Sequence, residues 1–413
     1  MYELKLTKEQ KIVLHLTARS ICEDPSSVVL SKTEIEGADW EEVMKEAIEQ
    51  AVPLATFDAL SIYKEDIPQP IYAHWKNVAM SVLRSNFIVA QSQADLIALL
   101  GEKYPYIILK GLSAGAYYPN PELRALGDVD FLINPTQQQE LEGVLLQAGY
   151  QKSLGDHPNH VVFRKPKAHL EMHFEVAGVP YGWQGEEVRA FLKDAVFQPQ
   201  KRIQAVGEFN TPSDINHGLI LLLHMQHHML GEGFGLRHLC DWAVYVAKTY
   251  KGKYWEETLI PFLKKIGLFT YTAIMTKTSA KYLHIPCPEW ATSADDETCD
   301  EIMCDILTGG NFGQKDMNRA KSGMLISEHG KSGTSHGALY NLAHALHKNV
   351  LRTACVKKLP ILYPFVYIWK ACRFLFLSII GKRPSLVKMA PEAKKRKSVY
   401  KKLAIFESNN EVK

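Results

Sequence analysis

Between Tyr106 and Val176 the apolar residues stop recurring at helical spacing and gather into short runs, and this change of period decides the fold class. Tyr106-Ile-Ile-Leu109 is an apolar run ending at Lys110-Gly111, as a buried strand does, and Asp128-Val-Asp-Phe-Leu-Ile133 reads as a second strand. His160–Arg164 and His169–Val176 read as a hairpin joined through Lys165-Pro-Lys167. In the latter, Leu170, Met172, Phe174 and Val176 take one face, and His169, Glu171, His173 and Glu175 the other. A short helix over Leu112–Tyr118 and a longer one opened by Asn134 or Thr136 and running to Ala148 complete this stretch. On both sides the chain is helical. Trp40–Leu60 and Trp75–Leu100, separated by Ile67-Pro-Gln-Pro-Ile71, precede the strands; Ile215–Leu230, Leu236–Lys248 and further helices to about Leu346 follow.

The expectation is an α+β chain: a small mixed sheet flanked by N- and C-terminal helical regions. The boundaries fall at 1–100 for the N-terminal helical region and 101–205 for the α/β core. A C-terminal helical domain covers 206–350, and an amphipathic helix and basic tail cover 351–413. Composition agrees with a buried core, with 46% hydrophobic and 23% charged residues among 413, so disorder and a disulfide-stapled miniprotein are excluded. Seven scattered cysteines with no Cys-x-x-Cys pair suit reduced thiols, and residues 1–20 carry charges throughout with no apolar leader, so a cytoplasmic location is expected. Net charge is only +3, but residues 382–402 hold nine Lys or Arg against one acid, Glu392. The body is therefore acidic to neutral and the tail basic.

The chemistry concentrates on the strands. Asp128 and Asp130, two residues apart on one apolar strand, project from one face and repel each other unless a divalent cation lies between them. If the strand of Glu171 pairs beside them, three carboxylates converge, the arrangement for two-metal phosphoryl transfer with Mg²⁺ or Mn²⁺. Lys110-Gly-Leu-Ser113 is a strand-to-helix turn at which backbone N–H groups can meet phosphate.

Leu109-Lys-Gly111, Arg124, Gly127-Asp-Val-Asp-Phe-Leu132 and Leu170-Glu-Met-His173 resemble the signature of the uncharacterised nucleotidyltransferase family, within the DNA polymerase-β-like superfamily. His224–His228, Arg237–Asp241 and Gly309–Gly313 resemble that family's helical C-terminal half, so the resemblance spans roughly residues 30–320. It implies transfer of a nucleoside monophosphate from an NTP to an acceptor, with release of pyrophosphate. It also implies metal binding by Asp128, Asp130 and Glu171, and nucleotide binding by Lys110, Gly111, Ser113 and Arg124. The alternative is a non-catalytic nucleotide- or metabolite-binding protein of the same fold. This chain has Gly111-Leu112 where Gly-Ser or Gly-Gly is usual, and Glu171 where Asp is commoner.

Further substrate contacts are expected from His173, His224, His228 and Arg237. Each has a plainer reading. His173 can hydrogen-bond Glu171, and Arg237 and Asp241 at i, i+4 can form a helix-face ion pair. His224 and His228, also i, i+4, have zinc-compatible spacing but no His-Glu-x-x-His motif, and helix packing or an acceptor pocket are the other readings. Leu359–Gly381 is apolar but interrupted by Lys370 and Arg373, too short of a span. Two readings stand for it: a helix closing the core before a solvated basic tail, or an amphipathic helix which, with the basic run, contacts an anionic membrane surface peripherally. Nucleic acid is not indicated.

Overall fold

The computed structural model describes residues 6–153, 157–204, 207–323, 359–379 and 386–407, with isolated positions between 343 and 356. Five helices come first. In α1 (Lys8–Ile21) the Thr7 hydroxyl accepts from the Gln10 N–H while the Gln10 side chain accepts from the Thr7 N–H, a reciprocal cap. After the short α2 (Lys32–Ile35), the Asp39 carboxylate caps α3 (Trp40–Glu49) by accepting from the Glu41 and Glu42 N–H groups. Prolines stand in the first turns of α4 (Pro53–Ala59) and α5 (Gln69–Leu100), where no intrahelical N–H is lost. The proline segment read as a separator thus supplies the start of α5.

The sheet follows. Its elements are β1 (Tyr106–Ile108), the single turn α6 (Leu112–Gly115), β2 (Val129–Ile133), α7 (Gln138–Gln147), β3 (Gln151–Lys152), β4 (His160–Lys165) and β5 (Ala168–His173). The strands lie in the order β1-β2-β5-β4-β3, with β2 and β5 parallel and the other pairs antiparallel, so the sheet is mixed. Two lengths differ from expectation. The helix after Gly111 is one turn and does not reach Tyr118. β5 ends at His173, not Val176, because its partner ends there: the Phe174 N–H already turns to the Asn159 carbonyl.

Strand periodicity sorts the sheet's two faces. Val129, Phe131, Ile133, Leu170 and Met172 enter an apolar core with Leu96 and Leu100 of α5 and Leu141 and Leu145 of α7. Each such side chain contributes about 1.5–3 kcal/mol by leaving water. Ile107 and Leu132 face the other way, into a larger core that runs from Trp40 and Trp75 to Trp242 and Tyr400. Asp130 and Glu171 share the parity of Leu132, so the carboxylates face the C-terminal helices.

After α8 (Trp183–Leu192), β6 (Gln200–Gln204) and β7 (Gly207–Thr211) form a separate hairpin that sequence periodicity does not mark, since of its two large apolar residues Ile203 is 78% exposed and only Phe209 is buried. Then come α9 (Asp214–Leu230), α10 (Leu236–Thr249), α11 (Ile260–Lys265), α12 (Phe269–Leu283), α13 (Glu289–Thr292), α14 (Asp296–Gly309) and α15 (Met317–Ser322). Most of 324–346, where helix was expected, lies outside the described residues. The two glycine patches meet: a Cβ on Gly235 would lie 2.7 Å from Asn311 Cα, so only glycine lets the α9–α10 turn approach the Gly310–Gly313 turn.

At the C-terminus, α16 (Tyr363–Ile379) exposes Phe365, Ile368, Trp369 and Phe376, while α17 (Leu386–Lys402) packs down. The basic run is therefore not a solvated tail over 386–402. Met389, Ala393, Val399 and Tyr400 recur at helical spacing on its buried side. Arg396, 1% exposed, donates to the Met229, Gly231 and Arg319 carbonyls and to Ser322 Oγ. Among the described residues no helix is long and apolar enough to cross a membrane.

Candidate active site

The β2–β5 register sets Asp130 directly beside Glu171, and Asp128, two residues before Asp130, lies on the same face. Asp128, Asp130 and Glu171 each offer a carboxylate oxygen, all within 4.8 Å of one another. Asp130 is 2% exposed. Two basic neighbours hold it: Lys110 Nζ and His173 Nε2 each lie 3.0 Å from Asp130 Oδ1. His173 Nε2 is also 3.6 Å from Glu171 Oε2, so the ring stands between two carboxylates.

The charges are unequally satisfied. Asp128 feels the Asp130 charge first and burial second, and its carboxyl is pushed up to about 7. Burial alone would raise Asp130 too, but Lys110 and His173 more than offset it and hold that carboxyl well below the usual range. Glu171 is also lowered: burial opposes its ionisation most, and the His173 hydrogen bond together with the Lys110 and His160 charges outweighs it. For His173, burial favours the neutral ring, yet Asp130 and Glu171 raise its basicity above normal. A surplus of buried carboxylate therefore remains at Asp128.

Gly111 follows Lys110 with φ +63°, ψ −119°, a conformation that L side chains rarely adopt, while a Cβ there would meet nothing closer than 3.8 Å. Backbone geometry, not space, requires this glycine. Ser113 is 1% exposed and its Oγ has no hydrogen-bond partner, so the hydroxyl expected at phosphate is sealed inside the turn.

Arg124 is elsewhere employed. Its Nε and Nη2 donate to Asp241 Oδ1 and Oδ2 at 2.8 and 2.7 Å, and the Tyr118 hydroxyl donates to Asp241 Oδ1. Where the resemblance implied a nucleotide contact, the Nε–Nη2 edge of the guanidinium is occupied by a brace between the sheet region and α10. The brace also corrects the i, i+4 pair, because Arg124, not Arg237, is the partner of Asp241. Arg237 instead lies 5.6 Å over the Phe312 ring, with its Nε buried and unpartnered, and its charge reaches Asp128. Glu175, expected on the same strand face as Glu171, pairs with Arg189 and does not join the cluster.

Two residues that sequence reasoning did not single out stand beside the expected ones. His160 of β4 faces His173 in register and lies 3.7 Å from Glu171 Oε2; burial, then the His173 charge, lower it to about 4. Counting back from the Pro166-Lys167 turn, across which Lys165 pairs with Ala168, places it there. His238 joins His224 and His228, all three offering nitrogens within 4.8 Å. No local pattern on α10 marks it.

Three carboxylates on adjacent strands, with basic groups behind and a glycine turn alongside, match the constellation that the sequence resemblance implied. The family described as uncharacterised nucleotidyltransferase matches residues 36–284, more than half the chain. The chain belongs to this family. Its match ends before Gly309, so the glycine turn over 309–313 lies outside it. No curated protein and no solved structure matches the chain. The donor set fits the divalent ion that nucleotidyltransferases typically use, because all-oxygen carboxylates suit a hard cation.

Proposed function

We propose that this chain is a divalent-metal-dependent nucleotidyltransferase that moves a nucleoside monophosphate from an NTP to an acceptor hydroxyl and releases pyrophosphate. The observation that carries the reading is the convergence of Asp128, Asp130 and Glu171 on one sheet face, with Asp128 left electrostatically unmatched. Mg²⁺ or Mn²⁺ bound by these carboxylates would neutralise charge on the phosphates and lower the pKa of the attacking hydroxyl.

The chain's own groups divide the remaining work. Lys110 and Arg237, the cations nearest the acidic cluster, attract and orient the triphosphate, while His173 keeps Asp130 and Glu171 ionised and in place. The acceptor oxygen bonds to the α-phosphorus as the bond from that phosphorus to the α,β-bridging oxygen breaks. The electron pair leaves with pyrophosphate. The hydroxyl proton passes to Glu171, a partly exposed carboxylate of the cluster, and from there to solvent.

The test incubates the full chain with cell extract and each α-³²P-labelled NTP in Mg²⁺ or Mn²⁺. Metal-dependent label on an acceptor is expected from wild type, falling by about a thousandfold in Asp128→Asn/Asp130→Asn, as for loss of major electrostatic stabilisation. Label that persists in that variant contradicts the assignment. NTP binding that needs these carboxylates but gives no transfer returns the non-catalytic binding reading.

A further inference from the structure

His224 and His228 lie one turn apart on α9, and His238 reaches them from α10. Ring centroids are 4.3 Å apart for His224–His228, 5.6 Å for His224–His238 and 5.3 Å for His228–His238. Each offers one nitrogen within 4.8 Å of the other two, and no fourth His, Cys, Asp or Glu joins the group among the described residues. Phe312 closes one side, 4.9 Å from the His228 ring and 5.3 Å from that of His238.

Three observations separate this group from ordinary helix packing. His238 is 3% exposed and its Nδ1 has no hydrogen-bond partner, a buried polar atom that costs stability unless something binds it. The three rings converge from two helices with their nitrogens gathered at one point, and an imidazole nitrogen presents the lone pair that a metal needs. The donors are also all nitrogen, whereas those of the neighbouring centre are all oxygen.

We infer that His224, His228 and His238 form a three-nitrogen site for a zinc-class divalent ion, distinct from the carboxylate centre, with its fourth position left for water or a substrate oxygen. Imidazole nitrogens suit Zn²⁺ and its neighbours, while Mg²⁺ favours carboxylate oxygen, so the two sites select different ions. Three protein ligands with one position open is the pattern of zinc sites that bind a reactive or substrate oxygen, not of closed structural ones. The inference does not depend on nucleotidyl transfer.

The experiment adds Zn²⁺ or Co²⁺ alone to the chelator-treated full chain and counts bound equivalents by equilibrium dialysis. Wild type is expected to bind one Zn²⁺ tightly, and its cobalt form to show a four-coordinate visible spectrum. X-ray absorption of the zinc form should carry the outer-shell scattering of imidazoles. His228→Asn and, separately, His224→Gln should weaken binding by more than the roughly 10–100-fold typical for loss of an outer partner. Asp128→Asn/Asp130→Asn should leave it unchanged. Thermal melts of both histidine variants establish that they fold, and the wild-type spectra decide the matter even if they do not. An oxygen-only shell, no tight Zn²⁺ binding, or binding lost with the aspartates but kept without the histidines overturns the inference.

Discussion

Arg124 and Asp128 stand four residues apart, and their charges meet opposite fates. Arg124, 7% exposed, has the Nε–Nη2 edge of its guanidinium on Asp241, which also accepts from the Tyr118 hydroxyl. Asp128 shares its sheet face with Asp130 and Glu171, and Lys110 and His173 make their contacts with Asp130 instead. Its carboxyl rises to about 7, while the Arg124 guanidinium is held more firmly protonated than usual, the gain from Asp241 outweighing the burial that opposes it. A matched buried pair braces two elements. A surplus of one sign marks where a ligand of the other sign belongs.

The contrast can be broken first at the brace. Asp241→Ala leaves a buried guanidinium unpaired and should cost about 3–5 kcal/mol of stability in urea denaturation. Replacing both partners, as Arg124→Met/Asp241→Leu, should cost less than that single change, because no charge is then stranded. A loss below about 1 kcal/mol for Asp241→Ala would place Arg124 among the dispensable contacts and erase the distinction.

Asp128→Asn should do the reverse to stability at pH 8 without divalent ions, leaving it within about 1 kcal/mol of wild type and on the stable side, since repulsion is removed. The sign in pH follows from the raised carboxyl. Between about 4 and 7 the folded chain keeps a proton that the unfolded chain has lost, so this group stabilises below its unfolded value, and that contribution is lost as pH rises toward 7. Melts of the chelated wild type should show this decline, and Asp128→Asn should lack it. An identical pH profile in the two proteins would mean that Asp128 carries no unmatched charge.

Much of the site was legible because strand chemistry is local. The alternation around Asp130 and Glu171 fixed which faces they share, and two paired acids on an apolar strand already implied a cation. Their convergence depended on the parallel neighbouring of β2 and β5, a tertiary fact that periodicity does not hold. His160 was recoverable from the hairpin register once its two-residue turn was located. The partner of Asp241 was not: helical spacing pointed to Arg237, whereas the observed partner is 117 residues away in sequence. At the C-terminus apolar content misled. The richer segment, α16, exposes Phe365, Trp369 and Phe376, and the basic α17 packs, because burial follows the periodic placement of a few apolar residues more than their number.

The most direct measurement is the electron paramagnetic resonance signal of free Mn²⁺, titrated with the full chain across pH 5 to 9. The signal should disappear on binding to wild type, with affinity rising as pH climbs to about 7 and levelling above it, since the ion must displace the proton on Asp128. Asp128→Asn should abolish that binding and Asp241→Asn should not. Binding equal in wild type and Asp128→Asn, or absent at every pH, would contradict the assignment of Asp128, Asp130 and Glu171 as a cation centre.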